Sequence, residues 1–138
     1  MSPPLRRCGL LLAGVALLAA PARAALLDEW HPVRSAQSGI KLDVDVVNVE
    51  RHGNVRRAWV RALLDQAQLH EKTGKYIGAI LIHERLNCGG RNVTVERVLF
   101  LSPDGEQLEE VKPSQRVAQP IAPGSSDESV ARLVCSAG

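Results

Sequence analysis

The chain has 138 residues, of which 45% are hydrophobic and 3% aromatic, and its 17 Lys and Arg against 15 Asp and Glu give a net charge of +2. This length suits one domain with a single hydrophobic core and excludes a second domain of similar size. The near balance of charge argues against the strongly basic surface of a nucleic-acid-binding protein, so we expect no nucleic-acid partner.

The N-terminus has the pattern of a secretory signal peptide. Two arginines precede an apolar run over residues 8–20, and the Ala-Arg-Ala of residues 22–24 matches a cleavage site. We predict a signal peptide over residues 1–24, cleaved near Ala24, and a single domain over residues 25–138. The run is shorter than the roughly 20 apolar residues of a membrane-spanning helix, so we expect no membrane anchor in the mature chain.

Cleavage changes both the charge and the cysteine count. The leader holds three basic residues and no acidic ones, so the mature chain has a net charge of about −1. Cys8 lies at the start of the apolar run, whereas a lipidated cysteine is expected just after it. We therefore expect an exported protein that is periplasmic or secreted.

The two remaining cysteines, Cys88 and Cys135, favour an intramolecular disulfide in an oxidising compartment. Closing a loop of about 48 residues contributes up to about 4 kcal/mol of stability in the chain-entropy model. A catalytic thiol and a metal site are the alternatives. They have less support, because a C-x-x-C pair and clustered histidines are both absent.

Hydrophobic periodicity predicts an antiparallel sheet. The predicted strands are a short edge strand at residues 26–33, then 40–46, 55–64, 76–88, 91–101 and 106–111. Residues 65–75 are interpreted as a loop or marginal helical turn, and residues 112–123 as a linker. The acidic pair Asp43 and Asp45 is interpreted as the solvated face of its strand rather than a calcium or acid/base site.

The sequence pattern of the C-terminal segment predicts a short helix. Ser125 and Glu128 form a Ser-x-x-Glu capping box after a Pro-Gly break. An apolar stripe follows, made by Val130, Leu133 and Val134. About ten residues are too few for a stable isolated helix, so we expect docking against the strand at 76–88 and fastening at Cys88. That strand is apolar on both faces in its first half, so we expect cover on both sides.

The strand at 55–64 carries the weak ligand-binding candidates. Arg57, Trp59 and Arg61 share one side of the strand, and Arg56 points to the other. One interpretation is a ligand-facing basic patch that includes Arg51. The alternative, which we prefer, is a solvated face whose guanidinium stems lie over Trp59 with cation–π contact.

Motifs for catalysis are absent from the sequence. No Ser/His/Asp set, phosphate-binding glycine loop or H-E-x-x-H motif occurs. The four histidines are dispersed, at His31, His52, His70 and His83. His70 falls in the predicted loop, and His83 on a buried type of strand is more typical of a core residue than of a base. We therefore predict no enzyme activity, no catalytic residues, no metal site and no cofactor.

Several short motifs, in order, resemble the surface-adhesin protein E family of Gram-negative bacteria over roughly residues 29–135. They are Trp30, the turn at residues 51–54, Trp59, Asn87 and Cys88 followed by Arg91, the turn at residues 103–105, and residues 123–125 ahead of Cys135. The resemblance implies an α+β fold, with a curved antiparallel sheet of about six strands and a C-terminal helix tethered by a disulfide.

The resemblance also implies adhesion to host extracellular proteins, and dimerisation in some members. We therefore expect a non-catalytic, exported binding module with a host or envelope protein as partner, and homodimerisation as a further option. The alternative is a small periplasmic ligand carrier or enzyme that uses the concave face of the sheet.

The disulfide prediction is tested directly by chemistry. Intact-mass measurement after alkylation of the denatured, unreduced mature protein should show no added label, because both thiols are consumed in one bond. Two labelled thiols would contradict the pairing.

Overall fold

The computed structural model describes residues 29–136. The predicted signal peptide at 1–24 and the start of the domain at residue 25 lie outside the described residues and stay predictions. Among the described residues, no helix is long and apolar enough to cross a membrane.

An open antiparallel sheet carries one helix on one of its faces. The strands are β1 Trp30–Val33, β2 Ile40–Asp45, β3 Glu50–His52, β4 Val55–His70, β5 Lys75–Asn87, β6 Asn92–Leu101, β7 Gln107–Val111 and β8 Gln119–Pro120, followed by α1 Ser126–Ser136. The strand order is β1-β2-β4-β5-β6-β7, with β3 paired to β4 and β8 paired to β6. The predicted fold is confirmed, with eight strands rather than about six because β3 and β8 are short extra pairings.

The long hairpin β4–β5 corrects the prediction of a loop over residues 65–75. β4 continues to His70 and pairs with β5 almost to the turn. Leu63 pairs with Ala79 but Gln68 pairs with Ile77, so β4 bulges by three residues between these pairs. Backbone pairing to β5 extends the strand through polar residues whose own sequence pattern carries no strand signal.

Side-chain contacts fasten the tip of this hairpin to β7. His70 is buried, with Nε2 2.7 Å from Glu109 Oε2 and Nδ1 2.8 Å from Thr73 Oγ1. Lys72 also contacts Glu109, and Lys75 Nζ donates to Glu106 at 2.8 Å. Hydrogen bonds from Lys72 and His70 lower the pKa of Glu109. His70 therefore has a structural role that its predicted position in a loop did not suggest.

The predicted linker at 112–123 contains β8, which pairs with Asn92 and Val93 at the start of β6. Ile121 extends this contact, because its N–H donates to the Arg91 carbonyl at 3.0 Å and its side chain is buried. The segment is therefore fixed to the sheet before the helix begins.

The N-cap predicted for α1 at Ser125 is present, although the Glu128 side chain reaches back to Gly124 instead of Ser125. The Glu128 N–H donates to Ser125 Oγ at 3.1 Å, and the Glu128 carboxylate accepts from the Gly124 N–H at 2.7 Å. The buried helix positions are Val130 and Val134, at 1% and 2% exposure. Fully burying side chains of this size contributes about 1.5–3 kcal/mol each.

The disulfide joins Cys88, after β5, to Cys135 on α1, with the Cα atoms 5.7 Å apart. The helix covers the part of the sheet nearest this bond, and it contacts β1 and β4. Tyr76, at the far end of β5, is 57% exposed, so the strand is covered over part of its length only. An 11-residue helix is about 16 Å long, whereas a 13-residue strand is about 43 Å long.

Replacing Cys135 with Ser should lower the Tm by roughly 10–20 °C, because a loop of about 48 residues is freed in the unfolded chain and the helix loses its tether. Differential scanning calorimetry measures the change. Cys88→Ser and the double variant should show the same loss, since all three remove one bond. An unchanged Tm in Cys135→Ser would contradict a structural role for the bond.

Candidate functional site

The sheet face opposite the helix gathers tryptophan, arginine and acidic side chains. Paired residues of neighbouring antiparallel strands point to the same face. Trp59 pairs with His83, which pairs with Arg97, while Arg61 pairs with Asp43. We call this surface the Trp–Arg face. Its members are Trp30, Asp43, Arg57, Trp59, Arg61, His83, Glu96 and Arg97.

Three of the four predicted binding candidates lie on this face. Arg57, Trp59 and Arg61 alternate along β4, with Ala58 and Val60 buried toward the helix. Arg56 is on the helix side, where its Nη1 donates to the Gly53 carbonyl at 2.6 Å. The structure therefore groups three candidates and separates the fourth.

Each tryptophan of the face is stacked by an arginine from another strand. Arg61 Cζ lies 4.3 Å from the centre of the Trp30 ring, and Arg97 Cζ lies 5.4 Å from that of Trp59. The stacking predicted for Trp59 thus comes from β6 rather than from its own strand. Arg57 and Arg61 are each two residues from Trp59, a separation of about 6.6 Å along the strand. Their guanidinium groups pair with carboxylates of other strands instead of stacking on the Trp59 ring.

Carboxylates neutralise the arginines of the face. Arg61 Nη2 lies 2.7 Å from Asp43 Oδ2, and Arg57 Nε lies 3.2 Å from Glu96 Oε2. The two carboxylates are only 14% and 12% exposed. Arg97 Nε lies 2.7 Å from Glu110 on β7. The arginines therefore form a near-neutral, ordered surface instead of a free basic patch.

A bulge in β6 brings Glu96 to this site. His83 pairs with Arg97 and Glu84 with Val95, so Glu96 is the extra residue between the two pairs. A bulge re-aims the side chain of its extra residue. Glu96 accepts from Arg57 and lies 3.4 Å from His83 Nδ1.

His83 is packed between Glu96 and Trp59. The centres of the His83 and Trp59 rings are 4.7 Å apart. Burial lowers the pKa of His83, although the Glu96 charge opposes the effect. In residues 29–136, no group of three His, Cys, Asp or Glu side chains is arranged to hold a metal ion.

The expectation that Asp43 and Asp45 form a solvated face was wrong. Asp43 is held by Arg61, and Asp45 is 3% exposed. Asp45 Oδ1 accepts from the N–H groups of Val47 and Asn48 at 3.1 Å each, which closes the bend after β2. An Asp at a strand end followed by Asn is typical of an Asx turn, and this signal was available in the sequence.

The sequence interpretation missed five members of the face, which lie outside the arginine-rich strand. They are Trp30, Asp43, His83, Glu96 and Arg97. Their grouping depends on strand pairing and on the β6 bulge. The sequence signal was limited to the presence of a second tryptophan and of the adjacent opposite charges Glu96 and Arg97.

The sequence model of surface-adhesin protein E matches residues 30–136. This chain belongs to the surface-adhesin protein E family. Comparison with curated proteins gives no significant match.

Solved structures of Haemophilus influenzae protein E share the fold. One aligns with a TM-score of 0.57 at 14% identity, covering 78% of this chain and 93% of that chain. A second crystal form gives a TM-score of 0.56 at 14% identity, covering 74% and 91%. Protein E from a non-typeable strain gives 0.56 at 14% identity, covering 76% and 75%.

His83 should make stability depend on pH. Its pKa in the folded state is below the ordinary value of 6.5, so the unfolded chain takes up the proton first. The contribution of His83 to the free energy of unfolding should be at its maximum above pH 6.5 and should fall as the pH drops toward the folded-state pKa. The difference in the free energy of unfolding between the wild type and His83→Gln, from urea unfolding between pH 5 and 7.5, isolates this contribution, because the slope from Glu84, whose pKa is raised to about 8 by burial, is shared by both proteins. His52→Gln, at an exposed position on β3, is the control and should leave the slope unchanged.

Proposed function

We propose that this chain is an exported, non-catalytic binding module that contacts a protein partner through the Trp–Arg face. The observation that carries the proposal is the pair of arginine-stacked tryptophans on the sheet face opposite the helix. Membership of the surface-adhesin protein E family supports an adhesive role.

The face is composed of the residue types that are enriched at the hot spots of protein–protein interfaces. Tryptophan and arginine are the side chains enriched where truncation costs most binding energy. Trp30 and Trp59 are half-buried, and the arginines above them, Arg61 and Arg97, each form an ion pair with a carboxylate. Side chains held in this way lose little conformational entropy when a partner binds.

The charge pattern indicates the chemistry of the partner. Arg57, Arg61 and Arg97 each have a carboxylate beside them, so the surface offers alternating donors and acceptors with no large field of one sign. Such a surface suits a mixed polar and aromatic protein surface, and it suits neither nucleic acid nor an anionic membrane. The partner class we propose is a host extracellular protein or an envelope protein.

A second copy of the chain is the competing occupant of this face. Sedimentation of the purified mature protein separates the two cases. A monomer at micromolar concentration agrees with a different protein as partner, whereas a dimer that dissociates in Trp59→Ala would contradict it.

Trp59→Ala should weaken binding to immobilised host extracellular-matrix proteins at least tenfold, because it removes the central aromatic side chain of the face. Surface plasmon resonance with the mature protein measures the loss. Trp30→Ala should give a smaller loss in the same direction. Tyr76→Ala is the matched control, since Tyr76 is an exposed aromatic residue outside the face. An equal loss in Tyr76→Ala, with both variants folded, would contradict the proposed site.

A further inference from the structure

A buried glutamate without a partner lies on the helix side of the sheet. Glu84 is on β5 between Ala58 of β4 and Val95 of β6, and it is 5% exposed. Its Oε2 has no hydrogen-bond partner. Buried carboxyl oxygens are almost always hydrogen-bonded, so an unpaired one in the interior calls for an explanation.

Two clefts meet at this carboxyl group. Each has a volume of about 300 Å³, and both are lined by Glu84 and Asp127. One lies between the sheet and α1, with walls that include Leu42, Val60 and Ile82. The other lies beside residues 113–119. We call the combined space the Glu84–Asp127 cleft.

The cleft is acidic and apolar. No Lys, Arg or His lines either part of it among the described residues. The helix N-terminus offers little attraction for an anion, because Ser125 Oγ already accepts the Glu128 N–H and Asp127 adds a negative charge in the first turn. Charge complementarity therefore selects a cation, and the apolar walls select one with an aliphatic stem.

We propose that the Glu84–Asp127 cleft binds a small primary alkylammonium ion. The aliphatic stem lies against the apolar wall between sheet and helix, and the ammonium group donates to the carboxylates of Glu84 and Asp127. A primary ammonium has three donors and no acceptor, which suits a site where two carboxyl groups are the charged groups and Ser35, Gln37 and Ser126 offer further side-chain oxygens.

Binding displaces a proton from the protein. Burial, reinforced by the charge of Asp127, raises the pKa of Glu84 to about 8. Asp127 is the charged group that faces Glu84 from the helix, and the neighbours across the sheet, Ala58 and Val95, are uncharged. When the ammonium enters, the Glu84 proton leaves to solvent and the carboxylate pairs with the cation.

Because binding releases a proton, the affinity for the amine depends on pH. Affinity should fall about tenfold for each pH unit below 8, because the carboxyl must first be ionised. Above pH 8 the affinity should stay constant until the amine itself loses its proton, near pH 10.4 for a lysine-like amine.

The site is independent of the proposed protein-binding role, because Glu84 and Trp59 lie on opposite faces of the sheet. The depth of Glu84 favours a free small amine over a lysine side chain that carries a polypeptide backbone. The class of ligand is therefore a monoamine or diamine with a short aliphatic chain.

Isothermal titration of the mature protein with n-hexylamine at pH 8.5 tests the proposal. We expect saturable binding with one proton released below pH 8, seen as a dependence of the measured heat on the ionisation enthalpy of the buffer. Glu84→Gln should weaken binding at least tenfold, and Asp127→Asn should weaken it several-fold. The exposed Glu71→Gln, in the β4–β5 turn, is the charge-matched control and should bind as the wild type does.

Four outcomes would overturn the proposal. They are no saturable binding by the wild-type protein, equal affinity in a folded Glu84→Gln variant, equal affinity for n-hexanol, and tighter binding of Nα-acetyl-lysine methylamide than of hexylamine. The last result would make a lysine side chain of another protein the occupant. Circular dichroism melting of each variant shows that a loss of binding is not a loss of fold.

Discussion

The docking of one short helix against one face of the sheet is the contact on which the rest of the structure depends. An 11-residue helix is marginal in water, so it needs both its buried valines and its covalent tether. Val130 and Val134 enter the core beside Val44 and Val60, and the Cys88–Cys135 bond fixes the helix at the end of β5. The sheet gains a closed hydrophobic core on that side alone.

The one-sided docking gives the two faces of the sheet different chemistry. On the helix side, the space that the helix leaves unfilled is the cleft around Glu84. On the other side, charged groups stay half-buried because Arg57, Arg61 and Arg97 each have a carboxylate within reach, and the guanidinium groups of Arg61 and Arg97 lie over the two tryptophan rings. The same charges without partners would be costly at this depth. Ion pairing therefore stabilises an aromatic surface that is available for recognition.

Local sequence patterns were sufficient to predict those strands and that helix end whose residues show clear alternation or a capping motif. The alternation of residues 40–46 gave β2, and the Ser-x-x-Glu box gave the start of α1. The end of β4 could not be predicted in this way, because residues 65–70 are polar and are extended by pairing with β5 and by the contact of His70 with Glu109. β8 was missed for a similar reason, since two residues in a proline-rich segment become a strand only against β6.

The sequence by itself determined the sheet-plus-helix class and the position of the helix, and it favoured the pairing of Cys88 with Cys135, because periodicity, capping and cysteine positions are properties of the chain. The sharing of one face by Arg57, Trp59 and Arg61 could also be predicted, since alternation along a single strand places them on the same side and Arg56 on the other. Only the tertiary structure decided that Trp30, Arg97 and Glu96 join them, and that Glu84 is buried without a partner. Strand register and a single bulge set these neighbours, and both arise from contacts between residues far apart in the chain.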